Sequence, residues 1–142
     1  MVVATGSFDD PIKAKQATDA MASKGCDVIT QNADACGNGA VEECDVLGLV
    51  NVGAVGDQSA YGESCFLSVI QDAHQGIAAA IDEAINGTLK PGPVVMGANA
   101  NVVYLTDYTG KYANLLTDEE KATLQSVWQQ AHDGVDLHTL TK

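Results

Sequence analysis

Gly6-Ser7-Phe8-Asp9-Asp10-Pro11-Ile12-Lys13-Ala14-Lys15 is the stretch that decides the fold of this 142-residue chain. Apolar Val2-Val3-Ala4 precedes it and reads as the end of a buried strand; an amphipathic helical pattern follows. Asp10 suits a helix N-cap, where its carboxylate accepts an orphan amide. Pro11 suits the first helical position, where the N–H it lacks has no partner to lose. Strand, short loop and helix in that order mark an α/β sheet. Such sheets hold ligands just beyond the carboxyl ends of their strands, where Phe8 and Asp9 fall. A purely structural turn is the competing reading of the same residues.

Outward from this loop the alternation persists, which favours a three-layer α/β architecture: a mostly parallel sheet with helices on both faces. Residues 10–24 are expected to be helical, with Ile12, Ala17, Ala20 and Met21 on or near one stripe and Gly25 as the stop. A strand is expected over 27–31, a short helix over 39–47 and a strand over 49–54. A further strand covers 66–70, and a helix covers 72–85 with Ile77, Ala80, Ile81 and Ala84 toward the core, closed by Asn86-Gly87. Short strands follow at 93–96 and 102–105. Thr117-Asp118-Glu119-Glu120 has the pattern of a capping box, opening a last helix from Asp118 to about Ala131 that carries Leu124, Val127 and Trp128. Asn86-Gly87-Thr88 matches a glycosylation sequon, yet a helix-ending turn accounts for it without that role.

Composition narrows the function. Apolar residues make up 46% of the chain and charged residues 18%, the balance of a folded globule. A chain of this length suffices for one domain, burying roughly 70% of its unfolded surface. The net charge of −12, with only 7 Lys and Arg, argues against nucleic acid, whose phosphates require basic side chains. No apolar run approaches the roughly 20 residues that span a bilayer, so no membrane insertion of this segment is expected.

Cys26, Cys36, Cys44 and Cys65 show no C-x-x-C spacing, which speaks against a zinc ribbon or a thioredoxin-like site. Cys36 and Cys44 are poor partners if both are helical, because eight residues of helix span about 12 Å and a disulfide needs Cα atoms within about 7 Å. Cys26 at a strand start and Cys44 at a helix end share one sheet edge. A Cys26–Cys44 disulfide is therefore the preferred pairing, beside the alternative of four reduced, buried thiols.

Lys24-Gly25-Cys26-Asp27-Val28-Ile29-Thr30-Gln31, Gly37-Asn38-Gly39-Ala40 and Val52-Gly53-Ala54-Val55-Gly56-Asp57-Gln58 follow the opening motif. Together, in order and spacing, these segments resemble the second half of the basic membrane protein family from about Val2 to about Tyr104. That family comprises solute-binding lipoproteins of ABC transporters, typified by purine-nucleoside receptors. The resemblance implies one lobe of a type I periplasmic binding protein, with residues 1–105 as a Rossmann-like ligand-binding lobe. Residues 106–142 would be a crossover segment and helix packing on the other lobe. The chain begins on the first core strand, with neither signal peptide nor lipoprotein cysteine ahead of it. The expectation drawn from this is an excised or fragmentary lobe rather than a natural single-lobed protein. An extracytoplasmic location, an ABC permease partner, and either the N-terminal lobe or a homo-oligomer as the covering surface are likewise implied.

Four loops would converge at one sheet edge, carrying Phe8 and Asp9, Asn32 and Asp34, Asp57 and Gln58, and Asn99 and Asn101. An aromatic face beside carboxylates and amides is what a base or sugar requires, although Asp and Asn also populate loops for turn chemistry alone. Departures from the family pattern matter too. An aromatic that stacks on the base in nucleoside-binding members is Thr30 here, Val55 replaces one of two acids, and a Gly-Leu-Lys-Asp-Gly run is replaced by Gly97-Ala98-Asn99-Ala100-Asn101. The Val-Ile-Thr-Gln segment is closer to members that bind free purine bases.

Gly37-Asn38-Gly39 is too short for a Walker loop and lacks its lysine. Glu42 stands where a dinucleotide fingerprint needs a third glycine, so a tight turn is the reading. No cofactor or metal site is implied. His74, His132 and His138 are scattered and accompany no nucleophile, so catalysis is not expected. The leading reading is a binding module for a small polar ligand, with a purine base or nucleoside as the candidate class. The alternative is a single-lobe structural, self-assembling protein that has lost ligand binding. A flavodoxin-like enzyme or cofactor carrier ranks third.

Overall fold

A computed structural model describes residues 1–134. It is an α/β structure whose four-stranded sheet has the order β1-β2-β3-β4 (Val28–Thr30, Val50–Val55, Cys65–Gln71, Val103–Leu105), with four α-helices: α1 (Pro11–Ala22), α2 (Asn38–Leu47), α3 (Ala73–Ile85) and α4 (Asp118–His132). β1 and β2 run parallel, pairing Val28 with Val50 and Thr30 with Val52. β2 and β3 are also parallel, with a register shift between Asn51 and Val52. The chain divides into two compact units. Met1–Ile70 with Leu105–Leu115 forms the first; Gln71–Tyr104 with the described residues from Leu116 forms the second.

In the first unit α1 begins as its sequence dictates. The Asp10 carboxylate accepts the Ile12 amide at 3.1 Å, and Pro11 occupies the first turn. The buried face, however, is Ala14, Ala17 and Thr18, with Met21 half-buried, whereas Ile12 is 61% exposed. Those positions follow the i, i+3, i+4, i+7 spacing, and two residues of offset place Ile12 about 200° away around the helix. Small residues on that face let α1 lie close to α2. The Gly39 backbone abuts the Pro11 carbonyl so tightly that any Cβ there would collide with it. Ala14, Ile29, Ala33, Cys36, Ala40 and Cys44 form the core cluster. Burying a side chain such as Val41, which is wholly inaccessible, stabilises by about 1.5–3 kcal/mol. Gly48 ends α2 in the left-handed conformation (φ 71°), which a residue without Cβ adopts freely, and turns the chain into β2.

Residues 106–111 run back along β3. The amides of Thr106, Thr109 and Lys111 donate to the carbonyls of Ser68, Phe66 and Glu63 at 3.0, 2.7 and 2.9 Å. Lys111 pairs with Asp45 at 3.1 Å, and the Tyr112 hydroxyl donates to the Gly48 carbonyl at 2.6 Å. These bonds join the segment to the first unit.

In the second unit α3 is N-capped by Asp72, which accepts the amides of His74 and Gln75. α4 opens with the expected capping box, Thr117 and Glu120 exchanging hydrogen bonds. Asn86 caps the end of α3, and Gly87 (φ 69°) turns the chain away.

Three expectations about strands and helix packing are corrected. Residues 2–4 form no strand and Val2 is 96% exposed, because no neighbouring strand supplies the backbone partners that extended chain requires. Residues 93–96 form no strand either; two prolines, Pro91 and Pro93, withhold amides from any ladder there. On α3 the half-buried stripe is Gly76, Ala79, Ala80 and Glu83, not the isoleucines. Gly76 faces Met96 and Val102, while Ile77, Ile81 and Ile85 stand exposed. All four cysteines are free thiols, so the Cys26–Cys44 pairing is not formed here.

Candidate functional site

In the first unit one loop precedes α1, and two others follow the carboxyl ends of β1 and β2. The loop before α1 is folded on itself by Ser7, whose hydroxyl donates to Asp9 Oδ1 at 2.7 Å and accepts the amides of Asp9 and Asp10. That leaves the Phe8 ring 73% exposed. The loop after β1 is shaped by Gln31, whose Oε1 accepts the Ala33 amide at 2.7 Å, and it presents Asn32 and Asp34 to solvent. Asp34 takes a left-handed backbone (φ 53°), which aspartate tolerates better than most residues. The two loops are joined directly: the Cys36 amide donates to the Phe8 carbonyl at 2.9 Å, and the Cys36 thiol reaches the Asp10 carbonyl at 3.0 Å.

The third loop follows β2. Asp57 is exposed and accepts the Ser59 amide at 2.9 Å, a bond that holds its carboxyl below the usual carboxylate range. Gln58 is only 5% exposed. Its Oε1 accepts the Ala54 amide at 3.2 Å, its Nε2 donates to Asn38 Oδ1 at 3.1 Å, and its backbone amide donates to Ser68 Oγ at 3.0 Å. Gln58 is therefore occupied with protein contacts that hold the loop, while Asp57 faces out. Among the residues expected at the site, Phe8, Asp9, Asn32, Asp34, Asp57 and Gln58 all belong to the first unit. Asn99 lies in the short turn Ala98–Ala100 of the second unit, where its Oδ1 accepts the Gly97 amide at 3.4 Å, and Asn101 ends that turn at φ 54°.

Sequence reasoning missed the residues that join the loops: Ser7, Gln31, Asn38 and Ser68. Ser7 carried a usable signal, a hydroxyl three residues ahead of Asp10 in an ST turn. Gln31 bonds only two residues on, whereas Asn38 and Ser68 act across the fold and leave no local trace. Gly37-Asn38-Gly39 forms no separate turn but runs from a short 3-10 helix into the first turn of α2, where its glycines permit close packing on Gln31 and on the Pro11 carbonyl respectively.

Exposed ionised carboxylates only accept hydrogen bonds, so a ligand seated here offers N–H or O–H donors, with a flat apolar face for Phe8. Among the described residues no group of His, Cys, Asp and Glu could hold a metal ion. His74 is fully exposed and lies 3.6 Å from Asp72; His132 lies 3.6 Å from Asp133 in the last turn of α4; His138 falls outside the described residues. No helix among the described residues is long and apolar enough to cross a membrane.

Over residues 1–135 the sequence matches the Bmp family, described as ABC transporter substrate-binding protein, PnrA-like. No curated protein matches the chain. The structure is similar to that of a transcriptional activator of the comK gene from Bacillus halodurans, with a TM-score of 0.77 and 21% identity, covering 88% of this chain and 43% of that one. It is also similar to an ABC transporter system solute-binding protein from Aeropyrum pernix K1, with a TM-score of 0.75 and 16% identity, covering 92% of this chain and 45% of that one. At such identities the likeness speaks for the fold alone. This chain spans less than half the length of either solved protein.

Proposed function

This chain belongs to the Bmp family of PnrA-like ABC transporter substrate-binding proteins, and we propose on that footing that it supplies one wall of a binding cleft for a small polar ligand of the purine-base class. The observation that carries the reading is the pairing of an exposed aromatic ring, Phe8, with exposed carboxylates on loops that hydrogen bonds hold together. Phe8 stacks on the ring of the ligand, while Asp57, Asp9 and Asp34 accept its N–H donors and the Asn32 amide both accepts and donates. Gln58 positions Asp57 rather than touching ligand. The role is binding rather than catalysis, and an ABC permease and an extracytoplasmic location follow from the family.

One wall binds weakly, since ligand in a two-walled cleft is held by closure over it. Titration of the chain with adenine, guanine and their nucleosides, followed by backbone NMR, tests the proposal. Shifts confined to residues 7–10, 32–36 and 56–59, abolished by Phe8→Ala and weakened by Asp57→Asn, support it. An absence of shifts at all three loops, or sub-micromolar affinity in a verified monomer, overturns it.

A specific observation favours a second reading, self-association. Ile77, Ile81 and Ile85 of α3 are 60%, 53% and 77% exposed in a single i, i+4, i+8 row. Sedimentation showing an oligomer that Ile81→Glu dissociates, with no response to purines, would replace the receptor reading by this one.

A further inference from the structure

Of the residues proposed to meet the ligand, Phe8 and Asn32 also line a cavity of about 720 Å³ in the first unit, whereas Asp9, Asp34 and Asp57 do not. The cavity lies among the chain Met1–Thr5, β1 and α1. Ala17, Ile29 and Ala33 are its buried floor, and Val3 and Met21 are half-buried in its sides. Phe8 and Asn32 stand exposed at its mouth, and among the described residues no hydrogen bond occupies the Asn32 side-chain amide. Among the described residues that line it, none carries an ionisable side chain.

These walls restrict the occupant. With no lining cation to pair with it, a phosphate would be stranded there, and a ribose would give up water at its hydroxyls against walls that are mostly apolar. Size restricts it further. A bare purine base has about ten non-hydrogen atoms, and even at the roughly 30 Å³ that each water molecule claims in the liquid these fill roughly 300 Å³. That is less than half of the cavity. The remaining volume is bordered by hydrocarbon, which an apolar group covers favourably.

Resting on the purine-base reading above, we propose that the ligand is a purine base carrying an uncharged apolar substituent, of the class of the 6-alkylamino- and 6-arylaminopurines. The base stacks on Phe8 at the mouth. The Asn32 amide meets the exocyclic N–H and the adjacent ring nitrogen, a donor and acceptor pair that asparagine matches with both of its own groups. The substituent lies inside, against Val3, Met21 and Ile29. The division of the site into an uncharged cavity and carboxylates outside it follows the division of such a molecule into an apolar arm and a polar ring.

Calorimetric titration of the chain with adenine, 6-benzylaminopurine, 6-hexylaminopurine, adenosine and 1-hexanol tests this. Both substituted bases should bind at least roughly tenfold more tightly than adenine, because about two buried CH₂ groups already supply a factor of that size. Adenosine should bind no more tightly than adenine. Nuclear Overhauser contacts from the substituent to the Met21 methyl group place the arm in the cavity. Met21→Gln keeps the length of the side chain, and Val3→Asn lies outside every helix and strand. Each should reduce the advantage of the substituted bases several-fold and leave the affinity for adenine unchanged. Equal affinities for adenine and the substituted bases overturn this inference while the receptor reading stands; a chain that binds no purine overturns both. Adenosine binding more tightly than either substituted base, or hexanol that 6-hexylaminopurine does not displace, overturns the inference as well.

Discussion

The side-chain amide of Gln58 donates to Asn38 Oδ1 at 3.1 Å, joining the loop after β2 to the first turn of α2 across twenty residues of sequence. Gln58 is buried and bonds in addition to Ala54 and Ser68, so it acts as the keystone under the exposed Asp57. Gln58→Leu should therefore destabilise the chain by about 1–3 kcal/mol, because it strands the Asn38 carbonyl and the Ala54 amide. Urea denaturation measures the loss, and amide exchange should accelerate first at Ala54 and Ser59. An unchanged midpoint would remove Gln58 from this role.

Val55 closes β2 with φ 72°, a conformation that a β-branched residue adopts at a cost of about 1–3 kcal/mol, and its side chain is 44% exposed. Val55→Asn should raise stability by about 1 kcal/mol, since asparagine tolerates the left-handed region and little packing is lost. Thermal unfolding of the pair of proteins decides it, and a lower melting temperature would show that Val55 contributes more by packing than it costs in strain.

Burial pushes the Cys44 thiol up to about 11, and burial likewise raises Cys65. In the unfolded chain both titrate near their ordinary value of about 8.5. The raised folded value means that this contribution to stability is complete below the unfolded value and is lost as pH rises through the folded one. Stability measured in denaturant should fall between about pH 9 and pH 11, and Cys44→Ala should shallow that fall. At pH 8 a maleimide should label half-exposed Cys26 well before Cys44 or Cys65. Early labelling of Cys44 would contradict its placement in the core.

Thr18 is wholly buried in α1, and its hydroxyl has no hydrogen-bond partner. Thr18→Val keeps the shape and removes the unsatisfied group, so it should stabilise by about 1 kcal/mol. Thr18→Ala should do the opposite by leaving a void. Melting temperatures of the two variants must move in opposite directions for this account to hold.

Much of the fold was legible because its signals are local. Asp10 and Pro11 mark the start of α1, Thr117 and Glu120 that of α4, and Asn86-Gly87 the end of α3, each through groups within a few residues of one another. The motif series from Gly6 to Gln58 likewise pointed to the family that the chain matches over residues 1–135. Positions of Asn32 and Asp57 on the loops after β1 and β2 followed from the same alternation, whereas no strand precedes Asp9. Which loop residues face a ligand and which hold the loop did not: Asp57 and Gln58 are adjacent, yet one is exposed and the other buried.

The sequence by itself determined the four helices, their caps, the strands β1 to β4 and the family, because hydrophobic period, capping chemistry and proline geometry act between near neighbours. Only the tertiary structure decided which face of α1 is buried, that the isoleucines of α3 stand outside, and that residues 2–4 remain unpaired. Those outcomes depend on what lies across the fold. A helix face is buried only where a partner can approach it, as Gly39 allows at Pro11, and an extended segment becomes a strand only beside another backbone that can accept and donate its hydrogen bonds.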